Sequence, residues 1–225
     1  MNSTLRQAAQ ADSDRLRISE IFLSLQGEST SVGLPTVFIR LTGCPLRCHY
    51  CDTEYAFRGG EYLHVGTILD RVAGYGVRHV TVTGGEPLAQ PACLLLLRQL
   101  SDADYQVSLE TSGALDISKV DSRVSRVIDV KTPGSGEMDK NLYRNLQQLA
   151  PHDQVKFVIC DRSDYVWACN QLNKYRLDSR CEVLFSPATG QQDAARLAEW
   201  ILQDRLPVRF QIQLHKILWG DEPGR

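Results

Sequence analysis

An α/β fold with a largely parallel sheet is predicted by two features of this 225-residue chain. Short apolar runs of strand character alternate with runs of helical periodicity, the order expected of βα units. The segments rich in reactive side chains follow the apolar runs, where parallel strands deliver ligand-binding loops. In chain order, the spacing predicts strands over 18–25, 36–41, 79–83, 106–110, 127–131, 154–160, 182–185 and 208–213. Each is short, rich in Val, Ile and Phe, and often bounded by turn residues. Helices are predicted over 65–74, 88–100, 140–149, 163–175 and 193–204. The last shows the logic. Ala194, Leu197, Ala198, Ile201 and Leu202 share one stripe, while Arg196, Glu199, Gln203 and Asp204 can face water.

Residues 1–16 read as a flexible, polar N-terminal tail without the apolar centre of a signal peptide, and residues 17–225 as a single domain. Lys and Arg total 25 against 27 Asp and Glu, a formal net charge of −2. Such balance argues against a sequence-blind grip on nucleic acid. No apolar stretch approaches the roughly 20 residues of a membrane-spanning helix. A cytoplasmic protein with reduced thiols is therefore expected, with neither nucleic acid nor membrane as a partner.

Reduced thiols make the seven cysteines better metal ligands and packing residues than a disulfide framework. Cys93, Cys160, Cys169 and Cys181 lie in apolar or helical runs and are expected to pack in the interior. Cys44, Cys48 and Cys51 crowd into GCPLRCHYCDT, directly after the strand TVFIRL. Soft thiolates suit zinc, copper(I) or iron–sulfur clusters. Three local thiols leave one position open, since a [4Fe–4S] cluster usually takes four cysteines. Zinc completed by His49 or a remote ligand is the competing reading, and His49 is awkwardly adjacent to Cys48.

Six further stretches carry candidate groups at or near strand ends. In VTVTGGEP, Thr83 closes a strand, Gly84 and Gly85 admit close backbone approach to a ligand, and Glu86 adds a carboxylate. Arg40 interrupts an apolar run, so its head reaches solvent, meets a counter-charge or clamps a carboxylate. Glu110 in SLETSG either caps a helix or accepts paired hydrogen bonds from a guanidine-like edge. Lys131 in DVKTPGSGE makes an exposed ion pair or meets a cofactor carboxylate. The turn Ser186, Pro187, Ala188, Thr189 offers hydroxyls and backbone groups to an adenosyl moiety. In FQIQLHKILWG, Gln213 and His215 alternate on the predicted last strand and would share a face.

The spacing C-x₃-C-x₂-C, with Tyr50 before the last cysteine, resembles the radical S-adenosylmethionine superfamily, and TGGEP matches that group's GGE element. IFLSLQGEST…VGLPTVFIRLTGCPLRCHYCDT, TGGEP, ETSG and QLHKILWG together closely resemble the 7-carboxy-7-deazaguanine synthase family, from about Ile18 to about Gly220. The resemblance implies an incomplete, modified (β/α) barrel. It implies a [4Fe–4S] cluster on Cys44, Cys48 and Cys51 whose fourth iron binds S-adenosylmethionine. The implied reaction is a carbon–nitrogen lyase step. It turns 6-carboxy-5,6,7,8-tetrahydropterin into 7-carboxy-7-deazaguanine, with ring contraction and loss of ammonia, for queuosine and other 7-deazapurines.

Carried over by position, Leu25, Gln26 and Gly27 would line the pterin pocket and Arg40 would meet the substrate carboxylate. Thr53 would help hold Mg²⁺, with waters and substrate oxygens as its other ligands. Thr83, Glu110, Gln213 and His215 would contact the substrate, and His215 would close over it. Gly84, Gly85, Glu86, Lys131 and Ser186, Pro187, Ala188 and Thr189 would contact S-adenosylmethionine. A homodimer and a flavodoxin or ferredoxin electron donor are also implied. The chain departs from the family pattern at Ser29 and Thr30, where relatives place a glycine, and in its extension past His215. A glycyl-radical activase and a zinc-bound interaction domain are the alternative functions.

Overall fold

The computed structural model describes residues 14–220, 222 and 224. The strands are β1 (Arg15–Leu25), β2 (Pro35–Leu41), β3 (Glu61–His64), β4 (His79–Gly84), β5 (Gln106–Thr111), β6 (Ser125–Asp129), β7 (Gln154–Ile159), β8 (Glu182–Pro187) and β9 (Arg209–Phe210). The helices are α1 (Val65–Ala73), α2 (Cys93–Asp102), α3 (Arg162–Tyr175), α4 (Ala194–Asp204) and α5 (Leu214–Trp219). Among the described residues, the nine strands join one sheet in the order β3-β1-β2-β4-β5-β6-β7-β8-β9. β1 runs antiparallel to β2 and β3, and every pair from β2 to β9 is parallel. The order has two ends, so the sheet is an unclosed relative of the (β/α) barrel.

Period-two alternation divides the sheet into a dry face and a polar one. Val37, Ile39, Leu41, Val80, Val82, Leu109, Ile128, Val155 and Phe157 join the core with Ile68, Leu96, Leu97, Tyr165 and Leu197 from the helices. Burying each such side chain contributes about 1.5–3 kcal/mol. Their strand neighbours Phe38, Arg40, Thr83, Glu110, Asp129 and Lys156 instead line a cavity. The right-handed βα crossover rule puts both faces to use: helices cover one, and loops from the strand ends close the other.

Several expected boundaries shift. The tail expected over 1–16 yields Arg15 and Leu16 to β1, where Leu16 is fully buried and pairs with Leu63; residues 1–13 lie outside the described residues. β3 was not expected because EYLH is too short to show a period. The expected helix over 140–149 is instead two short 3₁₀ turns, Met138–Lys140 and Tyr143–Gln147. Its backbone is diverted to the loop after β5: Leu142 N donates to Gly113 O (3.1 Å), and the Asn145 amide donates to Gly113 O and Leu115 O (3.1 and 2.8 Å). α2 begins only at Cys93, two residues past Pro91, with a separate turn at Pro87–Ala89. Leu202, placed on the buried stripe of α4, is 75% exposed, while Trp200 packs on the core.

The C-terminal expectation is corrected too. β9 ends at Phe210, and Gln213 and His215 do not share a strand face. Gln213 stands at the N-cap position of α5 and His215 sits inside the helix. Gln211, expected in the strand, directs its amide away: Ser29 N donates to its oxygen (2.9 Å) and its nitrogen donates to Ser29 O (2.9 Å).

Candidate active site

The loops at the C-terminal ends of β2 and β4–β8 surround a cavity of about 660 Å³. Cys44, Cys48 and Cys51 line it from the loop after β2. That loop is tied at several points. Gly43 N donates to Ala56 O (2.8 Å), Glu86 N to Gly43 O (2.8 Å) and His49 N to Ser135 O (3.0 Å). Gly85 is required by this closeness, since a Cβ there would lie 2.1 Å from Gly43 O and 2.8 Å from Cys44 Cβ. Gly84 has φ +141, and a Cβ would meet Leu41 O at 2.2 Å. The pair therefore brings the end of β4 against the cysteine loop.

The three thiols are half-buried, and burial raises the pKa of each, that of Cys48 to about 11. Thiolates here need a metal to hold them. Among the described residues, no group of three or more His, Cys, Asp or Glu side chains is arranged for one metal ion. A four-iron cluster uses a different iron for each thiolate and so spreads its ligands more widely than a single ion does. The His49 ring packs on the Gly136 turn, where a Cβ would lie 2.8 Å from it. The surroundings fit a bulky bound group: the Tyr50 hydroxyl and Asp129 Oδ1, both from residues lining the cavity, are buried and without a hydrogen-bond partner.

A second part of the cavity carries polar readers. Arg40 Nε donates to Glu20 Oε1 (2.6 Å), the counter-charge its burial demands, and its guanidinium lies 5.8 Å from the Phe22 and Tyr55 rings. Glu110 accepts from Thr83 Oγ1 (2.9 Å) and Gln26 Nε2 (3.4 Å). Burial, then the Glu28 charge, raises its pKa. Gln26 is itself pinned, donating to Thr81 Oγ1 (3.0 Å) and accepting from Glu28 N (3.2 Å). Leu214 N donates to Gly27 O (3.0 Å), and a Cβ on Gly27 would lie 2.2 Å from His215 Nδ1. Burial lowers the His215 pKa.

Thr53 Oγ1 donates to Asp52 Oδ1 (2.8 Å), and Gln213 Nε2 donates to Asp52 Oδ2 (3.1 Å). Burial alone would raise the Asp52 pKa, but these two hydrogen bonds hold it below the usual carboxylate range. Thr189 Oγ1 donates to Gln213 Oε1 (2.8 Å), so the turn after β8 meets the C-terminal segment.

Of the residues predicted for the site, the structure brings all but one to the cavity wall. The exception is Glu86, which is fully buried away from it. Its carboxylate accepts from Thr111 Oγ1 (2.9 Å), Ser112 N (2.7 Å), Ser112 Oγ (2.5 Å) and Leu88 N (3.0 Å). The side chain expected at the cofactor instead ties the end of β4 to the end of β5. Sequence reasoning passed over Glu20, Glu28, Asp52, Asp129 and Lys156. Lys131 Nζ pairs with Asp129 at 2.9 Å, and Lys156 Nζ lies 2.6 Å from Glu28 Oε2 and 3.7 Å from Asp129 Oδ2. Burial would raise the Asp129 pKa, yet the two lysines hold it low. The available signal was the alternation itself. Asp129 and Lys156 stand at the polar positions of β6 and β7.

The superfamily model described as "Radical SAM superfamily" matches residues 38–130. A curated 7-carboxy-7-deazaguanine synthase from Chlorobaculum tepidum is 43% identical over 211 residues, 92% of this chain and 96% of that one. The chain belongs to the 7-carboxy-7-deazaguanine synthase family. A second relative of that name, from Koribacter versatilis, is 41% identical over 224 residues, 92% of this chain and 98% of its own. The crystal structure of QueE from Escherichia coli superposes with a TM-score of 0.74 at 22% identity, covering 89% of this chain and 95% of that one, a likeness of fold. Family membership gives the three-thiol loop its meaning, because a radical S-adenosylmethionine protein carries a [4Fe–4S] cluster and S-adenosylmethionine.

Proposed function

We propose that the chain is a radical S-adenosylmethionine lyase converting 6-carboxy-5,6,7,8-tetrahydropterin to 7-carboxy-7-deazaguanine, in the synthesis of queuosine and other 7-deazapurines. One observation carries the reading: a single cavity is lined both by three thiols and by Arg40, Thr53 and Glu110, groups suited to a small carboxylated heterocycle. Cys44, Cys48 and Cys51 would hold three irons of the cluster. With S-adenosylmethionine bound, the cluster supplies radical hydrogen abstraction, chemistry that belongs to the cofactor.

The protein's part is binding and orientation. Gly84 and Gly85 admit the methionyl end of the cofactor to the backbone. Lys131 would offer its carboxylate a cation, and Ser186, Pro187, Ala188 and Thr189 would meet its adenosyl end. Arg40 commits Nε to Glu20 and presents its terminal nitrogens to the substrate carboxylate. Glu110 accepts the N–H edge of the heterocycle, with Thr83 and Gln26 fixing its oxygens. Leu25, Gln26 and Gly27 form one wall, and Gln213 and His215 close it from α5. The Thr53 hydroxyl, oriented by Asp52, would bind Mg²⁺ through its oxygen together with substrate and water, orienting the substrate carboxylate. The same reading includes a cytoplasmic homodimer reduced by a flavodoxin or ferredoxin. Among the described residues, no helix is long and apolar enough to cross a membrane.

The test is anaerobic reconstitution with iron and sulfide, then incubation with S-adenosylmethionine, Mg²⁺, reductant and the carboxypterin. Formation of 7-carboxy-7-deazaguanine with release of ammonia is expected. A colourless protein holding one zinc and no labile sulfide would overturn the radical chemistry. An iron–sulfur protein that ignores the pterin but installs a glycyl radical on a partner would favour the activase.

A further inference from the structure

Lys156 is the buried cation that the proposed function leaves without a role. It projects from β7 opposite Asp129 of β6. Its side chain is 13% exposed and reaches Glu28 on the loop after β1 at 2.6 Å. Glu28 is attached to the reading carboxylate through one side chain. Its backbone N donates to Gln26 Oε1, and Gln26 Nε2 donates to Glu110. Gln213 Nε2 holds the other oxygen of Glu28 (2.8 Å).

We propose, resting on the carboxypterin reading, that Lys156 is the charge-setting residue of the heterocycle pocket. Its ammonium offsets Glu28 so that Glu110 stays anionic and can accept two N–H groups from the aminopyrimidinone edge. Charged and titratable groups reach the pocket from several surrounding elements. Arg40 faces the pocket from β2, Asp52 from the cysteine loop, Asp129 from β6 with Lys131 just beyond, Lys156 from β7, Glu28 from the first loop, His215 and Lys216 from α5, and Glu222 from the segment after it. Arg40 is committed to Glu20 and Lys131 to Asp129. Lys156 pairs directly with Glu28 at 2.6 Å and lies 3.7 Å from Asp129, which ties its charge to the glutamate pair. Glu28 pushes proton affinity at Glu110 upward and Lys156 pulls it down, in line with the geometry. A protonated Glu110 would offer one donor where the ligand also offers donors, and binding would fail.

The measurement is affinity of the reconstituted, cofactor-loaded protein for oxidised, fluorescent 6-carboxypterin, read by anisotropy between pH 5 and 7.5. Ionisation of the probe is common to all variants, so differences between them belong to the protein. Wild-type binding is expected to weaken on the acid side as Glu110 protonates. In Lys156→Met that acid limb moves up by at least one pH unit. At the wild-type half-loss pH the variant then binds at least fivefold more weakly, and it recovers as the pH rises. Lys156→Arg keeps the wild-type limb, and Glu28→Gln moves it to lower pH. A merely structural lysine would give a loss independent of pH, and that result overturns the proposal. If Lys156→Met fails to fold, Glu28→Gln decides, because an unmoved limb there also overturns it. Failure of wild type to bind the probe would overturn the substrate reading and this proposal together. Binding with unmoved limbs overturns this proposal alone.

Discussion

Ser29 has φ +66, a left-handed conformation that costs a residue with a side chain roughly 1–2 kcal/mol. Its backbone is clamped on both sides by the amide of Gln211. Ser29 thus holds a backbone conformation that favours glycine, and the clamp maintains it. Ser29→Gly is expected to leave stability within about 1 kcal/mol of wild type, because relief of the turn offsets the freer unfolded chain. Ser29→Val should lower it by about 2 kcal/mol or more, measured as the shift in urea midpoint. Gly85 makes the opposite demand. Gly85→Ala puts a methyl against Gly43 O, so the loop before Cys44 must move. The variant is expected to fold with wild-type circular dichroism but to retain less than half the wild-type iron and labile sulfide after reconstitution.

At the scale of elements, the parallel strands were legible because they are short, rich in Val, Ile and Phe, and end in turn residues. β2, β4, β5, β7 and β8 lie within about two residues of expectation. What failed has a common cause. The stretch 140–149 and the segment after Phe210 satisfy their backbone groups with distant loops, a partnership that no local period records. Arg40 and Glu110 were found because each stands alone as a charge in an apolar run, whereas Lys156, Asp129 and Glu28 were missed because their ion pairs join β6, β7 and the loop after β1, a partnership no local pattern records. α5 has no buried residue and rests on the pocket through Leu214 N, Gln213 and His215. Burial lowers the His215 pKa from its ordinary 6.5, so the docked segment binds a proton less readily than the undocked one. Docking is then fully favoured above about pH 6.5 and lost progressively as the pH falls below it. Amide protection factors across residues 211–219, which are corrected for the intrinsic pH dependence of exchange, should fall on acidification from pH 7 to 5.5, and His215→Asn should abolish that dependence.

Across the whole molecule, stability and chemistry are assigned to opposite ends of the same strands. Arg126 and Asp153 form a buried pair near the beginnings of β6 and β7, through Nε–Oδ1 at 3.0 Å and Nη2–Oδ2 at 2.5 Å. Asp153 also receives Arg126 N and Ala150 N. Asp153→Ala leaves the guanidinium without its partner and should cost about 3–5 kcal/mol. At a temperature where the variant is still folded, its affinity for S-adenosylmethionine should match wild type, since the cavity lies at the other end of the sheet. Calorimetric melting and ligand titration of the same preparation check both halves of that expectation.

The clasp between Gln211 and Ser29 joins residues 182 apart in the chain, and the Gln213–Glu28 bond joins residues 185 apart. Contacts of such separation close late, after local pairings have repaid their loop entropy. During synthesis, β1 and the cysteine loop leave the ribosome long before their last neighbour exists. A nascent chain thus exposes its three thiols beside a wall that its last segment has yet to complete.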